Sequence, residues 1–214
     1  MFLLQPFKHL VTTSRRITIR QDDSADESRI GGNAPDSVVP PFVNSSTQYF
    51  TTIALGNTAR ELSLFVSIDW DEHTRSESAD NLWNNVSKLK TTDCPLVQFV
   101  THPRAKRSSS THLASDLDGR ALQIHEETPD IVVEPGGELL LPSKIGGRPY
   151  YYYGTLSYIE SLDRLFDQGF ILFLQFTWGG YERTAPFVWP FGEYTFHLLA
   201  KETAEEIIWC YGWG

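Results

Sequence analysis

The residues of this chain that could do chemistry are few, and their spacing is unhelpful to catalysis. Six histidines, His9, His73, His102, His112, His125 and His197, are scattered without the spacing that would set two of them on one metal. His197 lies in an apolar stretch and reads as a core histidine with its polar atoms satisfied. The adjacent carboxylates Asp71/Glu72 and Glu126/Glu127 could act as acid and base only if the fold placed a partner across a pocket. Neighbouring carboxylates on one stretch of chain are ordinarily solvated instead. Cys94 and Cys210 are far apart and form no CxxC pair, so packed, reduced thiols are expected rather than a disulfide or a zinc site. In Asp116-Leu117-Asp118-Gly119 the glycine comes too early for a calcium loop. Nucleophile elbows, HExxH pairs and both glycine-rich nucleotide motifs are missing. The chain is expected not to be an enzyme, and to carry no cofactor and no metal.

One pattern does stand out. Ser28-Arg29-Ile30-Gly31-Gly32 returns almost letter for letter as Ser143-Lys144-Ile145-Gly146-Gly147, with Pro35 and Pro149 shortly after the two copies. A glycine doublet can cradle an anion, but that use needs a helix or a cluster of cations immediately behind it. Prolines and tyrosines follow here, so each doublet reads as the tight turn that launches one half of the fold. Each copy is followed downstream by an apolar run closing on a tryptophan, residues 62–70 and 170–178. The expectation is a two-lobed pseudo-repeat within one domain spanning residues 1–214, with lobes over about 28–142 and 143–214.

The elements that would position these residues follow from periodicity. Residues 16–20 alternate polar and apolar, and their β-branched Ile17, Thr18 and Ile19 predict a strand. The acidic, serine-interleaved stretch 22–27 predicts a solvated loop. Residues 49–55 and 62–70 flank Gly56-Asn57-Thr58 and predict a hairpin; a strand is expected over 96–101. Residues 79–90, with Ser78 as N-cap and Leu82, Trp83, Val86 and Leu89 on one side, predict a helix. Residues 102–112 are basic and serine-rich, the expectation being a mobile exposed loop. A short strand and turn are expected over 131–142. Leu156, Ile159, Leu162, Leu165 and Phe166 predict a helix over 155–168, ended by Gly169. The run 170–178, apolar on both faces, predicts a central strand, followed by strands over 193–199 and 207–211 with a helical turn over 201–206 between them. The fold class expected is α+β, two pseudo-repeated lobes of mainly antiparallel sheet with two or three helices.

Composition narrows the partners. The net charge of −9 disfavours nucleic acid, whose phosphates draw on clustered Lys and Arg, and favours a basic partner. Hydrophobic residues make up 41% and aromatics 13% of the 214, enough for a packed core. No run of 18 apolar residues occurs, and the first ten residues lack a signal-peptide pattern, so a cytoplasmic, soluble protein without membrane contact is expected.

The paired glycine motifs with their prolines, the run Phe170–Gln175 and the closing stretch Ile207–Tyr211 resemble the YwqG-like proteins, a bacterial family of unknown function. The resemblance implies a two-lobed α/β fold and, through the family's association with polymorphic toxin systems, an immunity role: binding a cognate toxin effector, such as a nuclease, and covering its active surface. It supplies no catalytic residues. The contact set expected from charge and aromaticity is Asp69, Asp71, Glu72, Tyr151, Tyr153 and Trp178. The alternative is an enzyme or small-ligand-binding protein that uses a cleft between the lobes lined by residues 150–153, Trp178 and Trp189.

Overall fold

The computed structural model describes residues 12–20, 22, 28–41, 43, 45, 47–56, 59–67, 97–110, 113–115, 117–130, 143–150, 156–177, 195–204 and 207–213. Among them are ten strands: β1 (Thr13–Ile19), β2 (Arg29–Ile30), β3 (Thr47–Ala54), β4 (Arg60–Ser67), β5 (Val97–Pro103), β6 (Arg120–Pro129), β7 (Ser143–Gly146), β8 (Ile171–Phe176), β9 (Phe196–Glu202) and β10 (Ile207–Trp213). One helix, α1 (Leu156–Asp167), leads into β8.

All ten strands form one antiparallel sheet in the order β10-β9-β8-β7-β1-β6-β2-β3-β4-β5. The order is a palindrome about the β1–β6 pair. β2 through β5 run outward on one side, and β7 through β10 run outward on the other. The two outermost strands then meet: Phe99 of β5 stacks on Trp209 of β10 with centroids 6.0 Å apart and tilts against Tyr211 at 5.6 Å. The sheet therefore curls into a nearly closed barrel, which shields the apolar edges an open sheet would expose.

Side chains fill its interior. Ile17, Ile30, Leu62, Leu64, Leu174 and Leu198 belong to one continuous buried cluster drawn from both halves. Phe50 of β3 meets Phe176 of β8 edge-on at 5.6 Å across that interior, a favoured geometry for aromatic pairs. On the outside, Leu162 and Leu165 of α1 pack against Leu172, Leu199 and Cys210, which is why β8 is apolar on both faces. The helix ends in a Schellman motif: Gly169 takes φ +85°, its N–H donates to Phe166 O (2.9 Å), and Phe170 N–H donates to Leu165 O (3.0 Å).

The expected α+β architecture is overturned. The strands make one nearly closed, mostly antiparallel sheet rather than a mixed α+β fold with two or three helices, and α1 is the one helix among the described residues. The reason is local. The cation-Ile pair of each glycine motif lies in a strand, β2 or β7, and the ten-residue β6 supplies a partner that periodicity does not announce. With β6 on β2 and β1 on β7, the halves are stitched into one sheet. The hairpin β3–β4, the strands β1, β5, β8 and β10, and the helix over 156–167 match expectation. The helical turn expected over 201–206 does not form at Lys201 and Glu202, which extend β9 to pair with Ile207 and Ile208. Of the basic loop expected over 102–112, His102 and Pro103 instead end β5, while residues 104–110 run as a loop held by an isolated bridge between Arg107 and Pro35. The helix expected over 79–90 and the strand expected over 131–142 lie outside the described residues. Among the described residues no helix is long and apolar enough to cross a membrane.

Candidate functional site

The two glycine motifs occupy equivalent places in the barrel. In each, both glycines are left-handed, Gly31 and Gly32 at φ +68° and +69°, Gly146 and Gly147 at +77° and +78°. Each serine accepts a backbone N–H from the end of the neighbouring strand: Ala54 to Ser28 Oγ and Thr177 to Ser143 Oγ, both 3.0 Å. The cation that follows starts a row of polar side chains across the outer face. Arg29 stands beside Thr52 and Ser63 in the first half; Lys144 stands beside Gln175 and His197 in the second. Arg29 and Lys144 are each only 1% exposed. Burying a cation is costly unless it is paired and hydrogen-bonded, so these rows carry most of the polar chemistry the described residues hold.

In the second half the row clamps the segment that follows Gly147. Lys144 Nζ donates to both oxygens of Asp130 (2.8 and 2.9 Å) and to Arg148 O (2.6 Å), and lies 3.8 Å from the centroid of the Tyr150 ring. Asp130 also accepts Arg148 N–H at 2.8 Å. Gln175 Oε1 accepts Tyr150 N–H, and His197 Nε2 donates to Tyr150 O, each at 2.8 Å. The backbone groups of Arg148 and Tyr150 are thus held by side chains of the sheet, and the residue between them is a proline with no N–H to satisfy. Burial lowers the Lys144 pKa against the opposing pull of Asp130. Burial also drives His197 down to about 3, and Lys144 beside it acts in the same direction. Tyr150 is pushed up to about 12 by burial, with the Asp130 charge adding to it.

In the first half the row becomes a chain of hydroxyls. Tyr49 O–H donates to Thr52 Oγ1 (2.8 Å), Thr52 Oγ1 and Ser63 Oγ are 2.7 Å apart, and Ser63 Oγ and His102 Nε2 are 2.8 Å apart. His102 Nδ1 lies 2.6 Å from Pro103 O and 3.9 Å from Glu61 Oε2. Glu61 Oε2 in turn accepts Ala105 N–H at 3.3 Å, while its Oε1 is buried without a hydrogen-bond partner. Ser63, His102 and Glu61 have the residue types of a hydrolytic triad, but Ser63 and Glu61 have no exposed surface and His102 Nδ1 is turned to a carbonyl. A substrate has no route to that serine. The cluster anchors backbone. Burial lowers the His102 pKa, opposed by the Pro103 carbonyl and Glu61, and pushes Tyr49 up to about 12.

The contact residues expected from sequence, Asp69, Asp71, Glu72, Tyr151, Tyr153 and Trp178, all lie outside the described residues, as does Trp189. His102 and His197 are buried in the two rows, and His125 on β6 is 2.9 Å from Thr18 Oγ1 of β1. Cys210 is a buried free thiol. Among the described residues no three of His, Cys, Asp and Glu gather where they could hold a metal. Asp130, Glu61, Ser63 and the buried state of both motif cations are what sequence reasoning missed. The one available signal was the cation at the same place in each repeat. No family model matches the chain, no curated protein matches it, and no solved structure matches it.

Proposed function

We propose that this chain is a binding protein of the immunity type, which neutralises a cognate basic toxin effector by covering its active surface. The observation that carries the reading is where the acidic charge sits. The outward face of α1 presents Glu160, Asp163 and Asp167, all exposed, on a helix seated on the barrel by Leu162 and Leu165. Glu126 and Glu127 are exposed near the end of β6. With a net charge of −9, this offers a pre-organised acidic surface on rigid elements, which speeds capture of a basic partner and limits the ordering cost of binding. The resemblance of the paired glycine motifs to YwqG-like proteins supports the same reading. Asp69, Asp71, Glu72, Tyr151, Tyr153 and Trp178 complete the proposed contact set.

The test is co-purification with toxin proteins encoded beside the gene in the native host, followed by affinity measurement across ionic strength. Nanomolar binding that weakens with salt, and slower association for the variant Glu160→Lys/Asp163→Lys/Asp167→Lys, are expected. Failure to protect cells from any neighbouring toxin would remove the reading. The small-ligand alternative rests on a cleft whose lining, apart from the buried Tyr150, lies outside the described residues. A thermal-shift screen against metabolites and sugars separates it, since only that reading expects a specific shift.

A further inference from the structure

The outer face of β3, β4 and β5 is roofed by a cover that backbone bonds hold together. Asp36 N–H donates to Lys106 O (2.7 Å), Ser108 N–H to Ala34 O (2.9 Å) and Asn33 Nδ2 to Ser108 O (3.0 Å). Ala34, Val38 and Leu113 pack through it onto Tyr49 and Phe65, and Tyr49 N–H donates to Leu113 O at 2.9 Å. Two buried side chains on two strands tie this cover to the barrel at Ala105, and His102 bonds the last carbonyl of β5 just before it. His102 holds Pro103 O, Glu61 holds Ala105 N–H, and Arg29 Nη2 reaches Ala105 O at 3.4 Å. The cover is also strained. Ser37 and Leu113, at φ +62° and +69°, are the non-glycine residues in left-handed backbone among those described, and both belong to it.

The direction of the hydroxyl chain is fixed by one contact. A carbonyl can only accept, so His102 Nδ1 carries the hydrogen facing Pro103 O and neutral His102 leaves Nε2 as an acceptor. Ser63 then donates to His102, Thr52 to Ser63 and Tyr49 to Thr52, and every hydroxyl in the chain has an acceptor. Protonation turns Nε2 into a donor. Ser63 must then turn its hydrogen to Thr52 and Thr52 to Tyr49, leaving the Tyr49 hydroxyl, at a fully buried site, without its acceptor. The charged groups that bear on His102 are Glu61, which favours the cation from 3.9 Å, and Arg29 and Arg60, which oppose it. Arg29, Arg107 and Glu61 bear on Tyr49 at the far end.

We propose that His102 is a proton-operated latch: neutral, it accepts from Ser63 and ends the hydroxyl chain that seats Tyr49 beneath the cover, and protonated, it reverses that chain and loosens the cover formed by residues 33–38, 104–108 and Leu113 on Tyr49 and Phe65. The geometry carries this, since the chain can run only one way while the cover is shut. The lowered pKa of buried His102 agrees in sign, because the shut state prefers the neutral ring and opening is favoured as pH falls below the ordinary histidine value of about 6.5.

Amide hydrogen exchange of the full chain between pH 7.5 and 5, corrected for intrinsic rates, tests it. Protection of the Asp36, Tyr49 and Ser108 amides is expected to fall by up to about tenfold per pH unit below about 6.5. His102→Gln should abolish that dependence in the cover while leaving the β9 amides as they were. His197→Gln should leave the cover dependence intact. Cover amides whose protection stays constant to pH 5 in the wild-type protein overturn the proposal. So does an undiminished dependence in His102→Gln. Should that variant not fold, ring-nitrogen NMR of the wild-type protein decides, and a His102 that titrates at or above about 6.5 overturns the latch.

Discussion

His197 should make the stability of this protein depend steeply on pH, and the size of the effect follows from its surroundings. The ring has no exposed surface, donates through Nε2 to Tyr150 O, and neighbours the Lys144 cation across Gln175. Charging it would put a second cation into that row. Its pKa is driven down to about 3, against about 6.5 for a histidine in the unfolded chain. A group whose folded pKa is depressed stabilises the fold above its unfolded pKa and loses that contribution as pH falls towards the folded one. The window here runs from about 6.5 down to about 3, and a difference of this size corresponds to about 5 kcal/mol over the whole window. Within the window each pH unit removes about 1.4 kcal/mol per proton taken up on unfolding. Urea unfolding followed by tryptophan fluorescence at pH 7, 6, 5 and 4.5 reads this before most carboxylates titrate. His197→Gln keeps a side-chain N–H for Tyr150 O but cannot ionise, so its stability should fall less steeply, by about one proton's worth. His102, also lowered by burial, adds in the same direction and accounts for a residual slope. Equal slopes for the variant and the wild-type protein would refute the assignment, and so would a wild-type stability that is flat between pH 6.5 and 4.5.

Glycine substitutions should rank by what a Cβ meets. Gly31→Ala would place it 2.4 Å from Asp118 O and 2.6 Å from Leu117 Cβ at φ +68°, and should destabilise by about 3 kcal/mol. Gly147→Ala meets the Asp130 carboxylate at 2.4 Å and should cost about 2–3 kcal/mol, whereas Gly169→Ala, with nothing within 4 Å, should cost only about 1 kcal/mol; chemical denaturation orders all three. Lys144→Met leaves the buried Asp130 without its cation and should destabilise by about 3–5 kcal/mol; adding Asp130→Asn should recover part of that loss, and a fully additive double variant would contradict the pairing. Cys210, buried in β10 with its thiol pushed up to about 12, should resist a disulfide reagent at pH 8 in a Cys94→Ser background and react only as the protein unfolds.

What the sequence reveals and what it hides divide along physical lines. Local patterns were legible: alternation marked β1, the turn at Gly56 marked the β3–β4 hairpin, and a 3.6-residue stripe with a glycine cap marked α1. The duplicated motif was legible too, though as a turn rather than a strand running into one. β6 was hidden because Ala121, Leu122 and Ile124 are its apolar residues and polar residues fill its second half, so no element is expected there from the sequence. It is a strand because β1 and β2 flank it, which is information no window of β6 contains. The buried polar rows were hidden for the same reason. Lys144 is buried because Asp130 reaches back to it from fourteen residues upstream, and His102 because Ser63, thirty-nine residues away, sits one strand over. Burial of His197 was the exception, legible from the apolar residues around it.

The pairing of β1 and β6 explains how a repeat in sequence came to share one sheet. Each half begins with a strand, β1 before the first glycine motif and β6 before the second. Each of these pairs not with its own motif but with the other half's: β1 with β7 through Ile17 and Ser143, β6 with β2 through Ala121 and Arg29. They also pair with one another from Thr13 against Pro129 to Ile19 against Leu122. The exchange makes each half's motif strand depend on a strand contributed by the other. Unfolding of either half would strip hydrogen-bond partners from the other, and the interior contact of Phe50 with Phe176 would go with them. The two polar rows are thereby fixed at equivalent stations on one rigid wall. Their divergence can then be read residue by residue. Arg29 and Lys144 hold the same place, but the second row fastens a segment through an ion pair and amides, and the first through hydroxyls that end on a histidine able to titrate.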